Sequence, residues 1–238
     1  MTYKEIYDIA VPPKKRKEER WNIFAGHIGR PLSVMMTVPL TKTRIKPTTV
    51  TGLSLIALII GSILVSISYN MTVSIIGWLF FFLWNLLDGV DGNLARSTNQ
   101  CSNLGDLWDT MGGYAAMVLT YFSAGIAAYF DEGLFIFCPN YYLLILGGAT
   151  AIMSIFPRLI MQKKKTYGIN SEAVNKLTDK TNFGIRQIIS MNMISPSGFL
   201  QVIFLMCIIF HCLNFFIAIY CMINFLIMVF SLNSLLKE

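Results

Sequence analysis

The chain has 238 residues, 55% of them hydrophobic and only 13% charged, with a net charge of +6. Soluble domains carry about 25% charged residues, so the composition excludes an ordinary water-soluble enzyme and predicts an all-α polytopic membrane protein. The positive charge is grouped beside hydrophobic runs, which suits an anionic membrane face and gives no reason to expect a nucleic-acid partner.

The first 20 residues are polar and contain the basic run Lys14, Lys15, Arg16, Lys17. They read as no cleavable signal peptide, and residues 10–20 suit a disordered basic tail. From Trp21 to Pro47 the sequence mixes Trp21, Phe24, Ile28, Leu32, Met35 and Met36 with basic residues. That mixture is too polar to span and predicts an amphipathic helix lying on the cytoplasmic leaflet. Residues 1–46 thus form a cytoplasmic and interfacial segment ahead of a membrane domain over 47–238.

A transmembrane helix needs about 20 mostly apolar residues. Six such runs follow, at 48–68, 72–95, 105–130, 140–162, 197–213 and 215–235. The last two are parted only by a tight turn from His211 to Asn214. Residues 163–187 read as a cytoplasmic loop with a short helix near Ser171–Leu177. Five cysteines (Cys101, Cys138, Cys207, Cys212, Cys221) have no metal-ligand spacing and read as small hydrophobes. His27 and His211 fall on opposite sides of the membrane and read as structural.

The basic residues orient the spans. Ten of the 19 Lys and Arg precede the first span, Arg96 lies between spans two and three, seven run from Arg158 to Arg186, and Lys237 is near the C-terminus. The alternate loops, around Ser68–Thr72, Asp131–Asn140 and His211–Asn214, hold none. By the positive-inside rule both termini are expected in the cytoplasm.

Against this apolar background, LLDGVDGNLARSTNQCSNLGDLWDTMGGY, residues 86–114, carries four aspartates. In span two Asp88, Asp91, Gly92, Ala95 and Arg96 share one helical face, and in span three Gly105, Asp109 and Gly113 form one stripe with Asp106 beside it. The two spans make a hairpin, so Asp88, Asp91 and Asp109 are expected to converge just below the cytoplasmic surface. Unpaired carboxylates in a bilayer are costly, and close together they repel. A hard divalent cation, Mg²⁺ or Mn²⁺, resolves both problems and binds readily beside substrate phosphates. The small residues on the same faces leave room for a ligand or serve helix packing.

Asp88-Gly-Val-Asp91-Gly92-Asn-Leu-Ala95-Arg96, then eight residues, Gly105, three residues and Asp109 resembles the signature of the CDP-alcohol phosphatidyltransferases, D-x2-D-G-x2-A-R-x8-G-x3-D-x3-D. Arg30-Pro31-Leu32-Ser33 and the opening of the first span, Pro47-Thr48-Thr49-Val50-Thr51, are similar to that family too. The resemblance implies six transmembrane helices, an amphipathic N-terminal helix and a homodimer. It also implies transfer of a substituted phosphoryl group from a CDP-linked donor to a hydroxyl acceptor, with release of CMP. Asp88, Asp91 and Asp109 would be ligands of one or two Mg²⁺ or Mn²⁺ ions. Gly92 and Ala95 would leave space for the cytidine nucleotide, and Thr51, Arg96 and Gly105 would help shape its pocket. Arg158 stands either as an acceptor-phosphate contact or as a snorkelling anchor.

One departure bears on the chemistry. The family's fourth aspartate, a metal ligand and general base, would fall at position 113, which is Gly113. Asp106 lies two turns, about 10 Å, nearer the cytoplasm. A replacement base could come from the acceptor's own phosphate, Asp106 or Tyr114. The rival readings are a catalytically silent relative that binds nucleotide or lipid, and a cation transporter. Within the family, donation of a phosphatidyl group from CDP-diacylglycerol and donation of a CDP-linked polar head group to a lipid or glycan both remain open.

Overall fold

A computed structural model of the chain describes residues 1–19, 21–67, 70–131, 140–168 and 184–236. Among them the regular structure is all helical: α1 (Tyr3–Ala10), α2 (Pro13–Glu19), α3 (Arg30–Leu40), α4 (Pro47–Ser66), α5 (Met71–Ser97), α6 (Asn103–Phe130), α7 (Asn140–Thr166), α8 (Ile185–Ile194), α9 (Phe199–Ile209) and α10 (Leu213–Leu236). A π-helical turn, Ala25–Gly29, leads into α3. Helix starts follow local chemistry. Pro47 opens α4 at a position where its missing N–H costs nothing. Asn70 caps α5 by accepting from the Thr72 amide, and Ser102 caps α6 by accepting from that of Gly105.

Helices α4, α5, α6, α7 and α10 each have a stretch long and apolar enough to cross a membrane. The expected fifth span is corrected. Residues 197–213 do not form one straight helix; Phe199–Ile209 has 11 residues, about 16 Å at the α-helical rise, too short for a bilayer's hydrocarbon core. A sixth crossing requires the pair Gln187–Ile194 and Phe199–Ile209, bent by 50°. Their break falls at Ser195-Pro196-Ser197-Gly198, because proline lacks the amide that would continue the ladder. Gly198 is needed there: a Cβ on it would lie 2.6 Å from the Asn192 carbonyl oxygen. The turn before α10 is placed as expected, with His211 at φ 50°.

The N-terminal expectation is also corrected. Residues 13–19 are helical, and α1 is folded onto α3 and α5. Thr2 and Glu5 form a reciprocal capping box, and Ile6, Ala10 and Val11 bury against Val34 of α3. Arg16 pairs with Asp8, lies over the Tyr7 ring and donates to the Val11 carbonyl, which ties α2 back to α1. The amphipathic helix is present as α3, with Ser33, Val34 and Thr37 turned inward and Met35 exposed. Phe24 is buried edge-on to Phe82, whereas Trp21 and Ile28 are exposed. Helix α7 continues to Thr166, inside the stretch expected as loop. The helix expected near Ser171–Leu177 lies outside the described residues.

The core gathers Leu58, Phe81, Trp84, Tyr121, Phe204, Phe216 and Ile217 from α4, α5, α6, α9 and α10. Two glycine crossings bring backbones together around it. A Cβ on Gly61 would meet the Gly77 carbonyl oxygen at 2.8 Å, and one on Gly125 would meet Gly147 Cα at 2.7 Å. Small residues at such crossings allow close van der Waals packing where apolar lipid supplies no hydrophobic drive. His211 Nδ1 lies 3.0 Å from Asp131 Oδ1, linking the end of α6 to the α9–α10 turn.

Candidate active site

The expected α5–α6 hairpin is present as a chain reversal, but both limbs pack on α4 and make little contact with each other. Its short connection works because Asn99 takes a left-handed conformation, φ 55°, one of the few side chains that does so readily. The Gln100 amide then donates to the Ala95 carbonyl at 2.8 Å and closes the end of α5. This turn carries Asp88 and Asp91 on one limb and Asp109 on the other.

Asp91 is buried, Asp88 half-buried and Asp109 exposed. All three carboxylates act on one another electrostatically: Asp88 is under the influence of Asp109 and Asp91, and Asp91 under that of Asp109. Cationic groups surround them. Arg30 and Lys15 act on Asp88, Arg96 on Asp91, and Lys15 and Arg96 on Asp109. Lys15 belongs to α2, so the segment expected as a tail lays a positive charge over the acidic hairpin. Asp91 is fixed further: Thr51 Oγ1 donates to its Oδ2 at 2.6 Å.

Among the described residues, no three His, Cys, Asp or Glu side chains are gathered closely enough to hold one ion as they stand. The donor chemistry nevertheless suits a hard divalent cation. Three mutually repelling carboxylates on α5 and α6, two helices that both pack on α4, supply oxygen donors of the right charge, and only one oxygen of Asp91 is engaged by Thr51. The set fits in kind and is open in geometry.

The other expected residues lie around these carboxylates and along α6 and α7. Thr51 is buried and engaged with Asp91. At Gly92 a Cβ would lie 3.1 and 3.3 Å from the two terminal nitrogens of Arg96, so this glycine lets the guanidinium lie flat on α5. Ala95 is half-buried, and Gly105 sits in the first turn of α6 against the Ser102 hydroxyl. At Gly113 a Cβ would meet nothing within 4 Å, so the missing fourth side chain leaves open space. Asp106 is exposed in the first turn of α6 and acts electrostatically on Asp109. The Tyr114 hydroxyl donates to Gln162 Oε1 of α7 at 2.6 Å. Arg158 is an exposed residue one turn before Gln162 and within electrostatic reach of Tyr114.

Sequence reasoning missed a buried polar knot beside the motif. Asn93 is fully buried. Its Oδ1 accepts from Arg30 Nη1 at 3.0 Å and from Arg96 Nη2 at 3.3 Å, and its Nδ2 donates to Ser33 Oγ at 3.3 Å. A Cβ on Gly89, one turn earlier on α5, would lie 2.8 Å from Ser33 Cβ, so α3 is seated directly on the motif helix. The available signal was an amide at a variable position of the signature, surrounded by small residues.

Among the described residues, five apolar helices, or six crossings with the bent pair, together with an amphipathic helix seated on the acidic segment of α5, define a polytopic membrane protein. The model of the CDP-alcohol phosphatidyltransferase family matches residues 44–232. The chain belongs to that family. It is also 39% identical over 74 residues to cholinephosphotransferase 1 of Danio rerio, a stretch covering 28% of this chain and 19% of that relative.

Proposed function

We propose that the chain is a membrane phosphotransferase that moves a substituted phosphoryl group from a CDP-linked alcohol to an acceptor hydroxyl and releases CMP. The observation carrying this reading is the family match over residues 44–232, and Asp88, Asp91 and Asp109 of its motif lie within electrostatic reach of one another. Asp88, Asp91 and Asp109 would hold one or two Mg²⁺ or Mn²⁺ ions, which when bound neutralise the charge of a diphosphate so that it can be attacked.

The chain's own residues then do the positioning. Thr51 holds the Asp91 carboxylate in one orientation inside the bundle. Gly92 and Ala95 keep the α5 surface low, so that a nucleotide can approach beside the Arg96 guanidinium. Arg30, Arg96 and Lys15 bring positive charge to an otherwise acidic site, which a polyanionic donor requires. Gly113 supplies no base, and the acceptor hydroxyl gives its proton to its own phosphate, to Asp106 or to solvent. General-base help contributes about 10²–10⁴-fold, so its loss slows transfer without abolishing it.

Two donor readings share this site. CDP-diacylglycerol would give a phosphatidyl product. The partial likeness to a protein named for phosphocholine transfer favours a CDP-linked polar head group passed to a lipid hydroxyl. By the positive-inside rule, the grouping of basic residues supports a cytoplasmic side for both termini and the site. The test supplies each labelled CDP donor to purified protein with Mg²⁺ or Mn²⁺. CMP release that stops on chelation supports the reading. Nucleotide binding without release from any donor moves the protein to a silent relative, and ion flux without CMP release moves it to a transporter.

A further inference from the structure

We propose that Asn93 is a positioning residue that sets Arg30 of α3 and Arg96 of α5 side by side as one anion-binding pair, reading the phosphate end of the donor. The inference rests on the proposed reaction and goes beyond it, since Asn93 occupies a variable position of the motif. Both guanidinium groups donate to the same buried amide oxygen, at 3.0 and 3.3 Å. Sharing one buried acceptor holds the two planar guanidinium forks next to each other, the arrangement that gives a phosphate charge-assisted bonds from two sides. The amide's other end is occupied as well: Nδ2 donates to Ser33 Oγ, which itself donates to the Arg30 carbonyl at 3.0 Å. This fixes the orientation of Asn93, so that its oxygen and not its nitrogen faces the arginines. The pair also borders the acidic hairpin, because Arg30 acts on Asp88 and Arg96 acts on Asp91 and Asp109. A diphosphate could therefore meet carboxylate-bound cations on one side and guanidinium groups on the other.

The decisive variant is Asn93→Asp. A carboxylate keeps both acceptor bonds to the arginines but loses the donor to Ser33, so folding is checked by the melting temperature. Asn93→Gln, which keeps the amide, serves as a second variant. The carboxylate also cancels much of the pair's positive charge, so affinity for CMP and for inorganic pyrophosphate should drop roughly tenfold or more. In turnover the loss should fall mainly on KM for the donor, and Arg30→Gln should show the same split. Calorimetry on the full-length protein with pyrophosphate reads this directly, whether or not a CDP donor is turned over. Unchanged affinity in Asn93→Asp overturns the inference and leaves the proposed reaction standing. Pyrophosphate binding that is lost in the variant, together with no CMP release by the wild type, keeps the anion pair and overturns the reaction. Failure of wild-type protein to bind pyrophosphate or CMP overturns the pair outright.

Discussion

Thr51 on α4 and Asp91 on α5 are joined by a 2.6 Å hydrogen bond inside the bundle, with both side chains about 4% exposed. The bond does two things. It satisfies one oxygen of a buried carboxylate, and it orients the other relative to Asp88 and Asp109. Replacing Thr51 with Val removes the donor at nearly constant shape and leaves that oxygen unpartnered. We expect a stability loss of about 1–3 kcal/mol in detergent unfolding, and a higher Mg²⁺ concentration for half-maximal CMP release. Thr51→Ser should restore both, because it keeps the hydroxyl.

The three carboxylates themselves should behave as one unit. Single changes of Asp88, Asp91 or Asp109 to Asn keep the volume and remove a charge from a site whose proposed task is holding cations. We expect each to lower the CMP-release rate by roughly 10²–10³-fold, the range seen when one preorganised electrostatic group is removed. The melting temperature should hold or rise in the absence of metal, since mutual repulsion is relieved. A variant retaining more than half of wild-type turnover would remove that carboxylate from the proposed ligand set.

How much of this was legible in the sequence depended on the length scale. The long spans were read from apolar runs, because a bilayer enforces one helical solution over about 20 residues. Helical periodicity placed Asp88, Asp91 and Asp109 within electrostatic reach of one another. It did not show that α5 and α6 pack on α4 rather than on each other, which leaves the three carboxylates too far apart to hold one ion. Helix α1 was missed because its inward face is only Ile6, Ala10 and the following Val11, too short a stripe to stand out before a basic run. The break in the fifth span was missed because hydropathy averages over Pro196 and Gly198. For the Asn93 knot the sequence offered only an amide among small residues, and its partners Arg30 and Ser33, about 60 positions away in the chain, were not legible.

Gly113 and Gly89 should respond to substitution in opposite ways. A Cβ on Gly113 meets nothing within 4 Å, so Gly113→Ala should fold as well as wild type, or gain up to about 1 kcal/mol of helix propensity. Gly113→Asp should also fold, and it restores a carboxylate where the family pattern has one. We expect its CMP release to rise, within the roughly 10²–10⁴-fold that a general base supplies. An unchanged rate in a folded variant would show that proton removal does not limit turnover.

At Gly89 a Cβ would lie 2.8 Å from Ser33 Cβ and 2.9 Å from Ser33 Oγ. Gly89→Ala should therefore push α3 from α5 at a cost of about 1–3 kcal/mol, the usual range for overpacking. Hydrogen exchange would register this as faster exchange along α3, with α6 and α7 unaffected. Equal protection of α3 in the two proteins would mean that Ser33 can turn aside without moving its helix.

Sidedness can be read from a cysteine already present. Cys101 is exposed in the connection between α5 and α6. Cys207, Cys212 and Cys221 are half-buried in α9, the turn after it and α10. Phe210 is exposed near that turn, where His211 meets Asp131 at the far end of α6. Since α6 has 28 residues, about 40 Å at the α-helical rise, these two positions should lie on opposite membrane faces. A membrane-impermeant maleimide should label Cys101 in inside-out vesicles only. In a background with Cys101→Ser and Cys138→Ser, Phe210→Cys should label in right-side-out vesicles only. Labelling of Cys101 from outside would invert the orientation argued from the basic residues, and would place the acidic hairpin away from cytoplasmic nucleotides.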